Sequence, residues 1–230
     1  TPLYSSAASD VYKRQSINSY LVGGCVRDLM LNPSADSIDI DIMVEGDGIS
    51  FAKLLAKKMN VPKVVPFPKF ATAKIPYHEY EIEIASARLE SYDKSSRNPS
   101  SIQISNIQDD LLRRDFTINA IAASIHPDTF GQLHDPFGGI RDLQRGLIIT
   151  PLDPDVTFDD DPLRMLRAIR FASQLKFSIA PNVLESISRF KKRIDIVSNE
   201  RVTEEIKKLL NKKALVVKLI RFQTDHKVPL

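Results

Sequence analysis

The first readable pattern is a short apolar run, residues 19–23 (Ser-Tyr-Leu-Val-Gly), that meets Gly24 and continues as a helical pattern to Leu31. This predicts a buried strand, a tight turn and a helix. Residues 37–44 alternate strictly. Ile38, Ile40 and Ile42 fall on one face and Asp39 and Asp41 on the other, which predicts a strand with one core face. Residues 49–59 repeat with helical period, and residues 63–65, 72–75 and 79–85 read as strands, with Pro76-Tyr77-His78 as the turn between the last two. The stretch 91–101, SYDKSSRNPSS, is polar and rich in breakers, so it predicts a mobile loop. Residues 111–123 predict a helix, and Asp135-Pro136-Phe137-Gly138-Gly139 predicts a turn.

After Pro151 the pattern changes from mixed to helical. Asp159-Asp160-Asp161-Pro162 reads as a helix start, with capping carboxylates ahead of a proline. On that helix Arg164, Arg167 and Arg170 recur at spacing three, with Met165, Ala168, Ile169, Ala172 and Leu175 on the other side. The arginines form either a solvated basic face or one that meets a substrate. The fold class is therefore an α/β (α+β) head over residues 16–150, followed by an all-helical domain over 151–230. Residues 1–15 (TPLYSSAASDVYKRQ) show neither period nor the apolar core of a secretion signal, and are expected to be a non-native leader. The ending at Val-Pro-Leu is expected to be a truncation.

Composition narrows the class. Hydrophobic residues are 43% and charged residues 27%, as in soluble globular proteins. Cys25 is the single cysteine, which excludes an internal disulfide framework and a Cys-rich metal site and suits a reducing, cytoplasmic setting. No run approaches the roughly 18 apolar residues that a membrane span needs. The net charge of +3 is unevenly spread. Up to Asp161 there are 16 Lys+Arg against 23 Asp+Glu, and from Pro162 there are 16 against 6. An acidic first part suits cation binding, and a basic second part suits a polyanion such as RNA.

Alternate residues of a strand project side by side, roughly 6.5–7 Å apart. Asp39 and Asp41 could therefore bracket a metal pair about 3.5–4 Å apart, as used for nucleotidyl transfer. Alone, Asp-x-Asp equally fits a polar outer face. Upstream, Gly23 and Gly24 sit at a strand-to-helix turn, where backbone N–H groups can approach a phosphate and Arg27 can reach the same anion. A third carboxylate is expected from the next strand, and Glu83 is the candidate.

YLVGGCVRDLML, SIDIDIMVEGDG, LLRRDFTINAIA, DPFGGIRDL, FDDDPLRMLRAIRFASQLKFSI and NERVTEEIKKLL succeed one another from residue 20 to about 210. In this order they resemble the motifs of the bacterial class II tRNA nucleotidyltransferase (CCA-adding enzyme) and poly(A) polymerase family. The resemblance implies a polymerase-β-like nucleotidyltransferase head and a helical neck. It implies that Asp39 and Asp41 hold catalytic Mg²⁺, and that Gly24 and Arg27 contact the nucleoside triphosphate. Arg113, Arg114 and Asp115 would recognise its sugar and phosphates, with Asn119 on the same helix. Asp160, Asp161 and Arg164 would read the base of CTP or ATP without a template. Asp161 and Arg164, three apart, suit that role, since a carboxylate accepts from an exocyclic amine while a guanidinium donates to ring acceptors. Asp160 departs from the Glu usual in the family. The loop at 91–101 would act as a lever or lid, and Lys191, Lys192, Arg193, Lys207 and Lys208 would grip the tRNA backbone. His78, His126 and His134 are scattered and suggest no metal role. The family admits CCA addition (or its CC- or A-adding parts) and polyadenylation, and a non-catalytic RNA-binding fragment is a further reading.

Overall fold

The structure, a computed structural model, describes residues 17–33, 39–78, 80–93 and 96–210. The expected leader at 1–15, Ile38 of the alternating strand and the chain end lie outside the described residues. Strand β1 (Ser19–Val22) turns at Gly23 into α1 (Gly24–Leu31), and β2 (Ile40–Val44) leads to α2 (Gly48–Lys58). β3 (Val65–Phe67), β4 (Thr72–Tyr77) and β5 (Tyr80–Ser86) follow, then β6 (Arg88–Asp93), β7 (Ser96–Ile104) and α3 (Ile107–Leu112). β8 (Ala122–Ser124), β9 (Leu133–His134), α4 (Gly139–Arg145) and β10 (Leu147–Ile148) close the first part. The rest comprises α5 (Pro154–Asp160), α6 (Leu163–Leu175), β11 (Ser178–Ile179), α7 (Pro181–Phe190) and α8 (Asn199–Leu210).

Seven strands form one mixed sheet in the order β3-β4-β5-β2-β1-β8-β9. β2 and β5 run parallel at its centre, in a register that sets Asp41 opposite Glu83. The alternation along β2 explains its position. Ile40, Ile42 and Val44 join Ile75, Ile82 and Ile84 against Phe51 and Leu55 of α2. Each such fully buried side chain contributes roughly 1.5–3 kcal/mol. The opposite face is also covered further along, where Met43 packs with Tyr20, Val22 and Leu111. Only the N-terminal end of β2, at Asp39 and Asp41, is left facing a cleft. Helix α2 starts where Asp47 accepts from the N–H groups of Ile49 and Ser50 at 3.0 and 3.2 Å, and its last turn carries Lys57 and Lys58 where cations favour the helix dipole.

Several expectations are corrected. The described residues of the expected loop, 91–93 and 96–101, lie in β6 and β7, which pair antiparallel; residues 94 and 95 lie outside the described residues. The breaker-rich composition hid the ladder because its pairing tolerates polar side chains on both strands. Residues 111–123 are not one helix. α3 ends at Leu112, Thr117–Asn119 form a 3-10 turn, and Ala122 enters the sheet. Tertiary burial overrides the local period: Phe116 and Ile118 are fully buried, and the Thr117 N–H donates to Ile149 O at 2.8 Å, not within a helix. Asp159 and Asp160 end α5, and Pro162 sits at the N-cap of α6 instead of its first turn. Strands do not stop at 151, since β10 pairs in parallel with β11 across that point. Phe116 and Ile118 also share a core with Ala168 and Phe171, so the mixed and helical parts pack together. Ile169, assigned to the apolar side of α6, is 40% exposed.

The Asp135–Gly139 turn forms as expected. Asp135 accepts from the N–H groups of Gly139 and Ile140 at 2.6 and 2.9 Å. Gly139 is required there because a Cβ would lie 2.1 Å from the Thr117 carbonyl oxygen. Among the described residues no helix is long and apolar enough to cross a membrane.

Candidate active site

A cleft of about 530 Å³ opens where the N-terminal end of β2, the start of α1, the α3–β8 segment and α6 converge. Seven arginines and four aspartates line it. The excess of guanidinium suits a polyanionic ligand.

Its acidic corner is Asp39, exposed, and Asp41, partly buried. Burial first, then the Glu83 charge and more weakly Asp39, push the Asp41 carboxyl up to about 6, against the opposing pull of Arg114. Carboxylates held together at such a cost form a hard oxygen donor set suited to a divalent cation. Glu83 lies in register beside Asp41, but its carboxylate faces the Lys74 ammonium at 3.5 Å and does not line the cleft. Among the described residues no group of three His, Cys, Asp or Glu is placed to hold a metal ion. The carboxylates that line this corner of the cleft are Asp39 and Asp41. His126 accepts from the Asp128 N–H, and His134 packs edge-on against Tyr20, both away from the carboxylates.

The basic wall is built by buried organisers. Arg27 donates to Asn119 Oδ1 at 2.6 Å and pairs with Asp28 at 2.8 Å. Asn119 in turn donates to Asp115, which also accepts from Arg167 at 2.8 Å. Burial alone would raise the Asp115 pKa, but Arg167, Asn119 and Arg164 hold it below its ordinary value. Asp115 lines the cleft while accepting from Arg167, Asn119 and the Phe116 N–H, so it orients both side chains. Arg113 and Arg114 both pair with Asp110, which has no exposed surface. The sequence reading overlooked Asp110, although its spacing of three and four from the two arginines is a legible helical signal. Arg164 and Arg170 are each 8% exposed and Arg167 is half-buried, so two of the three α6 arginines are withdrawn from solvent. Arg164 donates to the Arg113 carbonyl oxygen at 2.8 Å. The ring of Phe171, also overlooked, lies 4.1, 5.0 and 5.4 Å from the guanidinium carbons of Arg170, Arg27 and Arg167, and its negative face offsets their mutual repulsion.

Asp161 and Arg164 both line the cleft. Asp161 precedes α6, where Oδ1 accepts from the Leu163 N–H at 3.2 Å and Oδ2 lies 3.6 Å from Arg201. Of the two glycines, Gly23 is the constrained one: its φ is +70°, and a Cβ would stand 2.6 Å from Arg114 Nη1. At Gly24 a Cβ would meet only ordinary contact with Arg27. Gly23→Ala is expected to cost about 1–3 kcal/mol of stability through backbone strain. Because Arg114 must also move, the variant should lose nucleotide affinity as well; thermal denaturation together with nucleotide titration checks both.

Paired carboxylates at one end of the central strand face a wall of oriented arginines, the donor set that a divalent cation and a polyphosphate would need together. The "Poly A polymerase head domain" family matches residues 19–149, and "Probable RNA and SrmB- binding site of polymerase A" matches residues 176–220. The chain belongs to the tRNA nucleotidyltransferase and poly(A) polymerase family. It is 43% identical over 164 residues to an A-adding tRNA nucleotidyltransferase of Aquifex aeolicus, covering 71% of this chain and 19% of that protein. It is 38% identical over 203 residues to a CCA-adding enzyme of Bacillus licheniformis, covering 88% of this chain and 48% of that protein. A solved CCA-adding enzyme with ATP superposes with a TM-score of 0.80 at 35% identity, over 97% of this chain and 49% of that one. The chain spans at most about half the length of these relatives. The fold is accordingly the polymerase-β-like head followed by helices.

Proposed function

We propose that this chain is the head and neck portion of a template-independent tRNA nucleotidyltransferase that adds C, A or both to the tRNA 3′ end from CTP and ATP. The observation that carries this reading is one cleft that joins Asp39 and Asp41 to Asp161 and Arg164 across an arginine wall. The RNA 3′-oxygen attacks the α-phosphorus, the α–β bridging bond breaks, and pyrophosphate leaves with release of the hydroxyl proton. Mg²⁺ held by Asp39 and Asp41 supplies, when bound, polarisation of the 3′-hydroxyl and compensation of charge on the leaving group. Arg114, fixed by Asp110, and Arg27 hold the triphosphate. Arg167 and Arg170 extend the same field along α6. Asp161 accepts from the exocyclic amine common to cytosine and adenine while Arg164 donates to ring acceptors, so bases without that amine are refused. Lys191, Lys192, Lys207 and Lys208 are exposed beyond the cleft and offer phosphate contacts to the tRNA. Arg193 is partly engaged by Asp159 at 2.9 Å. A cytoplasmic location follows from this role.

The test is incubation with tRNA lacking its terminal nucleotides, with CTP and ATP supplied separately and together. Addition of one to three residues that stops at a defined end is expected. Long runs of A on generic RNA would replace this reading by polyadenylation. Absence of any Mg²⁺-dependent nucleotide binding in calorimetry would leave only an RNA-binding role.

A further inference from the structure

Helix α8 (Asn199–Leu210) lies well beyond the base-reading segment at 160–164 in sequence, yet it packs along α6 and reaches the cleft with one face. Arg201 and Glu205 are four residues apart, hence neighbours on that face. Arg201 lines the cleft, its Nη2 3.6 Å from Asp161 Oδ2. Its Nη1 is buried without a hydrogen-bond partner. A buried donor left unpaired is costly, and among the described residues no protein acceptor offsets that cost. Glu205 is 4% exposed. It accepts from Arg170 Nε at 2.5 Å and lies 3.7 Å from Arg167 Nη1. Arg170 also donates to Gln174, which in turn donates to the Lys208 carbonyl oxygen of α8 at 3.1 Å.

We propose that the inner face of α8 tunes the nucleotide cleft by division of labour. Arg201 orients the base-reading carboxylate Asp161 and completes base selection, while Glu205 aims the phosphate-side arginines Arg167 and Arg170. Both are positioning residues, and the proposal rests on the nucleotide-selecting role given to this cleft above. The two contacts fall on different parts of the ligand. Loss of Arg201 removes one of the contacts that orient Asp161, the Leu163 N–H being another, and leaves the triphosphate grip in place. Loss of the Glu205 charge releases two guanidinium groups that act on any nucleotide alike.

The experiment compares Arg201→Ala, Arg201→Lys and Glu205→Gln with the unchanged full chain. Binding of Mg²⁺ complexes of CTP, ATP and UTP is measured by calorimetry without RNA, and incorporation into tRNA separately. R201A is expected to lower the CTP-to-UTP preference about tenfold with little change in CTP affinity, and R201K to recover part of that preference. E205Q is expected to weaken all three nucleotides about tenfold with the preference kept. Preference and affinity within about twofold of the unchanged chain in R201K and E205Q would overturn the proposal, as would proportional loss of both, in step with the melting temperature, in all variants. Should R201A fold poorly, R201K carries the test alone. Selective binding without incorporation would count against the proposed tRNA activity and leave the assignment to α8 standing.

Discussion

Asp41→Asn is expected to abolish nucleotide transfer and yet raise the melting temperature of the metal-free protein. The folded state holds the Asp41 carboxyl at a pKa of about 6, against 3.8 for the free side chain. Between those values the folded state binds more protons than the unfolded state, so stability falls as pH rises through this window. Above about pH 6 the full cost is present. A pKa raised that far corresponds to about 3 kcal/mol as an upper bound, and partial exposure reduces this to roughly 1–3 kcal/mol. Asn keeps the shape and removes the charge. A rise of roughly 2–10 °C at pH 7.5, fading below pH 5, is the expected result by calorimetry. Transfer should fall on the order of 10³-fold because a cation can no longer be shared with Asp39. A variant that melts lower than the unchanged chain in the absence of metal, or that retains transfer, defeats the assignment.

Asp110→Asn should act in the opposite sense. Burial alone would raise the Asp110 pKa, but Arg114 and Arg113 outweigh it and hold the carboxyl below its ordinary value. Its contribution to stability is thus fully present above about pH 4 and is lost as the pH falls through the folded value. Removing one partner of a buried pair costs about 3–5 kcal/mol, because the remaining charges stay buried and uncompensated. Here two guanidinium groups lose their anchor. D110N is expected to melt well below the unchanged chain at pH 7, with the gap closing in acid, and to bind nucleotide more weakly as Arg114 drifts from the triphosphate. Equal melting temperatures at neutral pH would show that the pair contributes nothing. The two substitutions separate a carboxylate expected to serve a ligand in the cleft from a buried one that serves the fold behind it.

The strand pattern of Asp39 and Asp41, the glycine turn before Arg27 and the spacing of Arg164, Arg167 and Arg170 were legible along the chain. Each depends on a local period: two along a strand, three to four along a helix, or a backbone angle only glycine adopts readily. The central strands were legible for the same reason, since the isoleucines of β2 and β5 alternate with polar residues, but their pairing and order in the sheet were not. Only tertiary structure decided what those local signals meet. It turned residues 111–123 from one helix into a helix end, a 3-10 turn and a strand, because burying Phe116 and Ile118 outweighs the local period. It paired residues 91–93 with residues 96–101 in an antiparallel ladder, which cross-strand bonding permits whatever the polarity. It seated the α6 arginines against Asp115, Phe171 and Glu205, 35 and more residues distant in two of the three cases along the chain. Charge partners at such separations leave no periodic trace, because burial and Coulomb energy depend on distance in space and not on order along the chain.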